Sequence, residues 1–380
     1  MKPETGPNPG GPDAGSAHIT SAGPARATGL RASLETALQL RWFARSQRDL
    51  LDPLLAPLSW VVSALAQRRR HRIAQRKASG PAHPQAKVVI FGNLVVGGTG
   101  KTPLVIATAL ALTQRGWRVG LLARGHGGEQ MAKTAQQVPR PAPHDAAKDF
   151  GDEAIVLAQS TGLPVAAGYD RGAALRALLG GQDCDVVLSD DGLQHEGLAR
   201  DLEIAVFDRR GAGNGRVLPA GPLREPLFNA LFFDALLLNG RDTRPPITHS
   251  RVFRFTVAAQ DCQRLDGAHH LTLGEAAAQW QGERIHALAA IGQPQRFFDD
   301  LSRAGLQPHC WALADHACPD PTWAGALPAD RILMTSKDAV KCRQWPAALL
   351  ARCYEVTSRA TIDPGFIDWI EERLRGSQMD

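Results

Sequence analysis

The sequence feature that most constrains the fold is a glycine-rich turn between the apolar run KVVIF and a helical pattern at 102–115. Its residues are Gly97, Gly98, Thr99, Gly100, Lys101 and Thr102. Free N–H groups and the dipole at a helix start favour a bound anion. In this context Lys101 is expected to reach the β- and γ-phosphates of a nucleotide, and Thr102 to ligate Mg²⁺. The turn therefore predicts a nucleotide-binding P-loop.

The turn departs from the usual G-x-x-x-x-G-K-[ST] template, because Val95 stands where that template has its first glycine. Gly97 and Gly98 can supply the missing backbone freedom. Pro103 is compatible with the first turn of a helix, where its missing N–H has no partner to lose. Val96 occupies the position of the signature lysine of partitioning ATPases, so that class is not favoured.

From Lys87 onward, short apolar runs alternate with helical stretches, which is the pattern of a parallel sheet covered on both faces. Strands are predicted at 87–91, 118–124, 164–168, 185–191, 202–208 and 234–240. Helices are predicted at 102–115, 153–161 and 171–179. The expected fold class is α/β, with a P-loop NTPase-like doubly wound parallel sheet.

The composition divides the chain into five predicted parts. They are a disordered tail at 1–30, a helical segment at 31–80, a P-loop core at 81–248, a β linker at 249–267 and a smaller α/β domain at 268–380. The tail is rich in Gly and Pro and lacks the pattern of a secretory signal. Alternation of period two predicts an exposed strand pair or linker at 251–265. Strands near 284–292, 309–313 and 331–338 and helices at 295–304 and 363–375 are expected in the last part.

A basic segment precedes the P-loop. Between Pro53 and Gly128 there are eleven Lys or Arg and no Asp or Glu, so the remainder of a chain of formal net charge +5 carries −6. Six of these cations lie in RRRHRIAQRK, at 68–77. A block of this kind suits nucleic acid, an anionic membrane surface or solvation alone.

The apolar run before the basic block, Leu54 to Ala66, is interrupted by Pro57 and is short for a membrane span. Trp42, Phe43 and Trp60 are residue types typical of a membrane boundary. We therefore expect a segment that lies in the membrane interface, with an ordinary packed amphipathic helix as the alternative.

Carboxylates follow two of the predicted elements. Asp190 and Asp191 end an apolar strand, and ligands of open α/β sheets bind at that edge, so the pair is suited to hold Mg²⁺ beside phosphates. Asp152 stands at a predicted helix start, where capping alone would explain it.

Several motifs occur in an order that closely resembles the tetraacyldisaccharide 4′-kinase family of lipid A biosynthesis. They are GNLVVGGTGKTP, LLARGHGG, GDEA, SDDGLQH, GNGRVLPAGPLREP, IGQPQRFFDDL, ADH and TSKDAVK. The resemblance runs from about Trp42 to the C-terminus. It implies transfer of the γ-phosphoryl group of ATP to the 4′-hydroxyl of a tetraacyl glucosamine disaccharide 1-phosphate, at the cytoplasmic face of the inner membrane.

The resemblance also implies roles for particular residues. Asp152 would be the base that accepts the hydroxyl proton, assisted by His316, and Lys101 would act on the phosphates. Magnesium would be organised by Thr102, Asp190, Asp191 and Glu225. The candidates for contacts with the substrates are Asn93, Arg171 and Arg224.

Two other functions stay open on the sequence alone. A P-loop GTPase or metallochaperone is suggested by NGRD (239–242) and TSKD (335–338), which partly match the guanine-reading motif N-K-x-D. A membrane-associated regulatory ATPase would use the basic block without catalysing transfer. The sequence contains no recognisable nucleic-acid module, so the expected partners are a lipid precursor and an anionic membrane surface, with the protein as a monomer.

Overall fold

The computed structural model describes residues 19–20, 38, 41–43, 52–79, 83–125, 136–137 and 149–376. Most of the predicted tail lies outside these residues. Ile19–Thr20 forms a two-residue strand that pairs in parallel with the strand His309–Ala312. These two residues are the part of the predicted tail that the structure describes. Unpaired backbone groups on a strand at the edge of a sheet accept any short extended segment.

Fourteen strands form one sheet in the described part of the chain. They are β1 (Ile19–Thr20), β2 (Lys87–Gly92), β3 (Val119–Ala123), β4 (Gln136–Gln137), β5 (Val165–Ala167), β6 (Val186–Asp190), β7 (Leu202–Phe207), β8 (Ala235–Asn239), β9 (Val252–Arg264), β10 (His270–Thr272), β11 (Ile285–Ala289), β12 (His309–Ala312), β13 (Arg331–Thr335) and β14 (Cys353–Ile362). The helices are α1 (Asp52–Ala78), α2 (Lys101–Gln114), α3 (Asp152–Thr161), α4 (Arg171–Leu179), α5 (Leu273–Gln279), α6 (Pro294–Arg303), α7 (Pro321–Ala326), α8 (Ser336–Cys342), α9 (Ala347–Leu350) and α10 (Pro364–Gly376), with a 3₁₀ helix at Leu227–Phe232.

The strand order is β1-β12-β11-β13-β14-β9-β8-β7-β2-β6-β3-β5-β4, and β10 pairs with β9. The run from β8 to β5 is parallel throughout. All six strands predicted for this part are confirmed to within one residue at each end. The chain leaves β2 through α2 toward β3, but leaves β6 toward β7 on the other side of β2. This reversal places a ligand crevice at the carboxyl ends of β2 and β6.

The segment predicted as an exposed strand pair or linker is instead one strand of thirteen residues, β9. It pairs in parallel with β8 on one side and antiparallel with β14 on the other. The prediction of an exposed pair is wrong. The alternating pattern arises because β9 lies between β8 and β14 and has one face more buried than the other. β9 joins the two groups of parallel strands into a continuous sheet.

The central strands are buried on both faces, so their sequences are apolar runs rather than alternating ones. One apolar cluster contains side chains of α2 and α3, and also Phe366, Ile370 and Leu374 of α10. Helix α10 therefore packs on the run of parallel strands from β8 to β5, although it follows the parallel strands β11 to β14 in the sequence. Clusters around α5 and α6 and around α7 to α9 cover the remaining strands.

Helix α1 continues through Pro57, which falls early in the helix and removes one intrahelical hydrogen bond. The buried face of α1 carries Ser59, Ala66, Arg70 and Ile73. Within the described residues, no helix is long and apolar enough to cross a bilayer.

The two aromatic residues before α1 do not lie where the sequence suggested. Trp42 is buried and its Nε1 donates to the carbonyl of Pro219 at 3.1 Å. Phe43 lies under the guanidinium of Arg210, 4.9 Å from the ring centroid. Both pack on the protein, so their assignment to a membrane boundary is wrong.

Candidate active site

The glycine-rich turn connects β2 to α2 in the geometry of a phosphate loop. Gly97 and Gly100 adopt left-handed conformations, with φ of 90° and 88°. A Cβ on Gly100 would lie 2.5 Å from Nδ2 of Asn239, which donates to the carbonyl of Thr99. Gly98 does not adopt the left-handed conformation, so of the two glycines expected to replace the one lost at Val95, only Gly97 uses a backbone conformation that favours glycine.

Val95 has a structural role of its own. Its side chain is buried, and its backbone forms an antiparallel bridge with Leu223. The next residue, Val96, donates its N–H to the carbonyl of Pro222 at 2.9 Å. The valine at the template's glycine position thus fastens the phosphate loop to the segment LPAGPLREP.

Asn93 holds the backbone of the phosphate loop through hydrogen bonds. It is completely buried, and its Nδ2 donates to the carbonyls of Val95 and Gly97. Its Oδ1 accepts a hydrogen bond from Nζ of Lys101 at 2.9 Å. Because both ends of the amide are engaged inside the protein, Asn93 supports the loop and the lysine.

Lys101 lies at the start of α2 beside two charged neighbours. Its Nζ is 3.8 Å from Oδ1 of Asp191, whose carboxylate also lies 3.2 Å from Nη1 of Arg224. Burial acts to raise the pKa of Asp191, but Lys101 and Arg224 outweigh it and lower that pKa. The Asp191 backbone has a φ of 60°, a conformation uncommon outside glycine. This strained residue holds a carboxylate between two cations near the phosphate loop.

Thr102, at the start of α2, contacts Asp190, at the end of β6. Thr102 Oγ1 donates to Oδ2 of Asp190 at 2.8 Å. Asp190 is only 2% exposed, and its Oδ1 has no hydrogen-bond partner among the described residues. Burial, followed by the charge of Glu153, raises the pKa of Asp190 to about 6. A buried carboxylate oxygen without a donor, next to a P-loop threonine, fits a hard cation such as Mg²⁺.

The four predicted magnesium residues do not converge on one point. In the described part of the chain, no group of three or more His, Cys, Asp or Glu side chains has the spacing of a metal site. Both oxygens of Glu225 accept hydrogen bonds, Oε1 from Gln194 and Oε2 from Asn229. Of the four residues, Thr102 and Asp190 contact each other. A P-loop threonine and an aspartate are the side chains that hold Mg²⁺ in many P-loop enzymes.

Arg171 lies behind the same carboxylates. Its Nη2 donates to the carbonyls of Asp190 and Asp191, and its Nη1 has no partner within the residues that the structure describes. The side chain is buried, which lowers its pKa to about 10. The guanidinium therefore fixes the end of β6 and keeps one donor group available.

The structure brings Asp152 and His316 together from positions 164 residues apart. Asp152 begins α3 and is 5% exposed, and its Oδ2 lies 2.9 Å from His316 Nδ1. His316, half-buried with a φ of 62°, donates its backbone N–H to the carbonyl of Ala290. Burial acts to raise the pKa of Asp152, but the His316 hydrogen bond and nearby lysines lower it to about 2. The same bond raises the pKa of His316.

Two lysines that the sequence reasoning did not assign belong to this site. Lys337 and Lys341 lie one turn apart on α8, and Lys337 Nζ is 2.6 Å from Oε1 of Glu153. Lys341 Nζ is 3.7 Å from Oδ2 of Asp152. Burial acts to lower the pKa of Lys337, but the charges of Glu153 and Asp152 outweigh it and raise that pKa. Both lysines occur in TSKDAVK, so the available signal was a lysine pair at helical spacing after a buried strand.

Comparison with known proteins gives a consistent result. A sequence model of the family described as tetraacyldisaccharide-1-P 4′-kinase matches residues 51–375. A tetraacyldisaccharide 4′-kinase of Bordetella petrii is 42% identical over 86% of this chain and 91% of its own. One of Dechloromonas aromatica is 37% identical over 90% and 98%. A crystal structure of LpxK from Aquifex aeolicus in complex with ATP has a TM-score of 0.69 and 22% identity, over 86% of this chain and 100% of the other, which supports the fold.

Proposed function

The chain belongs to the tetraacyldisaccharide-1-P 4′-kinase family, and from that premise we propose how its residues carry out the reaction. The protein is an ATP-dependent kinase that phosphorylates the 4′-hydroxyl of a tetraacyl disaccharide 1-phosphate in lipid A biosynthesis. The observation that supports the assignment of residues best is the Asp152–His316 pair, which lies beside Lys341 of α8.

The Asp152–His316 pair accepts the proton of the acceptor hydroxyl. A carboxylate with a pKa of about 2 is a weak base while its histidine partner is charged. When His316 is neutral, the carboxylate of Asp152 loses that stabilising charge and becomes more basic. The pair therefore works in the state with a neutral imidazole, in which Nδ1–H donates to Asp152 and holds the carboxylate in place.

The cations of the site balance the charge of the phosphates. Lys101 is held by Asn93 and Asp191 at the start of α2, where the N–H groups of the loop also point. Arg224 reaches the same carboxylate from the loop that Val95 fastens. Phosphoryl transfer needs positioning and charge neutralisation more than covalent chemistry, and these fixed cations supply both.

Thr102 and Asp190 would hold the magnesium ion of the nucleotide. Their 2.8 Å contact and the unpartnered oxygen of Asp190 support this assignment. When bound, Mg²⁺ neutralises charge on the β- and γ-phosphates. Asp191 and Glu225 keep the surrounding cations in position instead of joining the ion directly.

A guanine-nucleotide enzyme is not favoured, because the residues that suggested it have internal partners. Asn239 of NGRD donates to the carbonyl of Thr99 in the phosphate loop. Asp338 of TSKD is fully buried and accepts hydrogen bonds from the N–H of Ala290 and from Thr335. Neither side chain is available to bind a guanine ring.

The pH dependence of the reaction tests the role of His316. We expect kcat/KM to fall on the acid side with an apparent pKa above 6.5, the ordinary value for histidine, because Asp152 raises the pKa of His316. Below that pKa the imidazolium forms and Asp152 becomes a weaker base. The variant His316→Asn should be slower but should lack this acid limb. Profiles from pH 5.5 to 9 that show the same limb in both proteins would exclude His316 as its origin.

We propose that α1 lies on an anionic membrane surface. Leu54, Leu58, Val61 and Leu65 form one stripe along the helix, which we call the outer stripe, and each is 53–73% exposed. Trp60 is also largely exposed. Farther along, Arg68, Arg72 and Arg76 continue the spacing of the stripe with exposed cations. An apolar stripe next to cations fits the boundary between acyl chains and acidic headgroups.

Vesicle binding tests the outer stripe. The variant Leu58→Ser with Leu65→Ser should bind vesicles of anionic phospholipid about tenfold more weakly than the original chain, because it removes two apolar side chains from the interface. Leu110→Ser, at a half-exposed leucine on α2, is the matched control and should bind normally. Sedimentation with the vesicles at low and high salt separates the contribution of the apolar side chains from that of the cations, because salt screens only the second. Equal binding by all three proteins would contradict the proposal.

A further inference from the structure

Arg70 of α1 is the one arginine of the run 68–70 that points into the protein. It is 8% exposed and contacts two buried carboxylates. Its Nε lies 3.1 Å from Oε2 of Glu225, and its Nη1 lies 2.6 Å from Oε1 of Glu203. Its guanidinium also lies over the ring of Phe233, 4.6 Å from the centroid. A residue of the proposed membrane helix is therefore anchored in the interior by charge-assisted hydrogen bonds.

A chain of polar contacts leads from this anchor to the phosphate loop. Glu225 Oε1 accepts hydrogen bonds from Arg70 Nη2 at 3.3 Å and from Gln194 Nε2 at 2.8 Å. Gln194 Oε1 accepts from Arg224 Nη1 at 3.4 Å, and the same Nη1 lies 3.2 Å from Asp191 Oδ2. The next charge is Lys101, 3.8 Å from Asp191.

We infer that Arg70 is a positioning residue for the kinase reaction, which acts through Glu225 and Gln194 on Arg224 and so aligns the cations at the phosphates. This inference rests on the proposed function. Glu225 is 2% exposed and holds donors from α1, from the segment after β6 and from the 3₁₀ helix that follows it. Glu225 is a fixed link between these elements. Displacing Arg70 therefore shifts Glu225, and with it Gln194 and Arg224.

The geometry of the guanidinium explains why arginine is needed. One planar group contacts Glu225 with two nitrogens, Glu203 with a third, and the carbonyl of Leu193 as well. Lysine keeps the charge but has a single ammonium, which cannot bind both carboxylates in this arrangement. The variant Arg70→Lys therefore preserves the charge balance of the buried cluster while loosening the position of Glu225.

The test is a double-mutant cycle of Arg70→Lys and Gln194→Leu, measured as kcat and KM for ATP with lipid acceptor at saturation. Each single variant should lower kcat about tenfold, and the double variant should lose little more than the worse single variant, because both interrupt one chain. Arg343→Lys, at a half-buried arginine that donates to Glu355 and to the carbonyl of Leu265, is the control and should keep its kcat.

Three results would overturn the inference. They are an unchanged kcat in Arg70→Lys, an unchanged kcat in Gln194→Leu, and effects that multiply in the double variant. A merely structural role for Arg70 would lower the melting temperature without lowering kcat per folded molecule. If Arg70→Lys does not fold, Gln194→Leu alone decides, because it interrupts the chain without touching α1.

The same proteins separate this inference from the proposed function. If the original chain and Arg343→Lys both fail to phosphorylate the lipid, the proposed function is wrong. The chain of contacts is then judged by the affinity for a non-hydrolysable ATP analogue with magnesium, which Arg70→Lys and Gln194→Leu should lower without additivity. Unchanged affinity in both would contradict the inference in that case as well.

Discussion

Replacing Asp152 with asparagine should lower the rate of phosphoryl transfer by about 10²- to 10⁴-fold, the range typical of losing a general base. The amide is close in shape to the carboxylate and still accepts a hydrogen bond from His316, but it cannot take a proton. ATP affinity should change less than about threefold, because the nucleotide is held by the phosphate loop and not by α3. Steady-state kinetics and equilibrium binding of an ATP analogue measure the two effects separately.

Asp320→Asn is the matched control for this variant, because Asp320 also lies at a helix start, where it accepts the N–H of Trp323. It should retain its activity. Comparison with His316→Asn shows which residue accepts the proton of the hydroxyl group. If Asp152 accepts it directly, Asp152→Asn is the slower of the two variants. Loss of nucleotide binding in Asp152→Asn would instead place this carboxylate in the support of the nucleotide site.

Replacing Lys101 with methionine should lower kcat/KM for ATP by about 10³-fold, on the scale of removing one preorganised group that stabilises transition-state charge. Unlike the change at Asp152, it should also weaken ATP binding, because the ammonium acts on the phosphates in the bound state as well. The carboxylate of Asp191 keeps its ion pair with Arg224 in this variant. Initial rates and analogue binding give both numbers.

Lys87→Met controls for the loss of a paired lysine, because Lys87 begins β2, the strand before the loop, and its Nζ lies 3.8 Å from Asp201 at the end of the strand away from the loop. It should transfer phosphate at a normal rate. If Lys101→Met retained both its rate and its nucleotide affinity, the glycine-rich turn would not be the phosphate site.

The local parts of the fold could be predicted because their patterns are local. A buried strand, a glycine-rich turn and a helix follow one another within thirty residues, and each is fixed by periodicity and by backbone chemistry. The carboxylates of Asp190 and Asp191 were found in the same way, since they end a strand that can only be central. The resemblance to a kinase family then supplied His316, which no local pattern singles out.

Contacts between distant parts of the chain could not be predicted in this way. Periodicity in β9 shows which of its faces is buried, but not that β14 pairs beside it. Lys337 and Lys341 reach the acids of α3 only because α8 lies against that helix in the folded chain. Arg70 stands within a run of similar arginines, and nothing in the sequence separates this buried arginine from its two more exposed neighbours.

The reaction assigned to this protein is transfer of the γ-phosphoryl group of ATP to the 4′-hydroxyl of the lipid disaccharide. The most direct measurement incubates the purified full chain with γ-labelled ATP, magnesium and tetraacyl disaccharide 1-phosphate in detergent, and locates the label in the product. We expect one new phosphate on the distal sugar at the 4′ position, absent with Asp152→Asn. Label released only as inorganic phosphate, or transferred only from GTP, would contradict it.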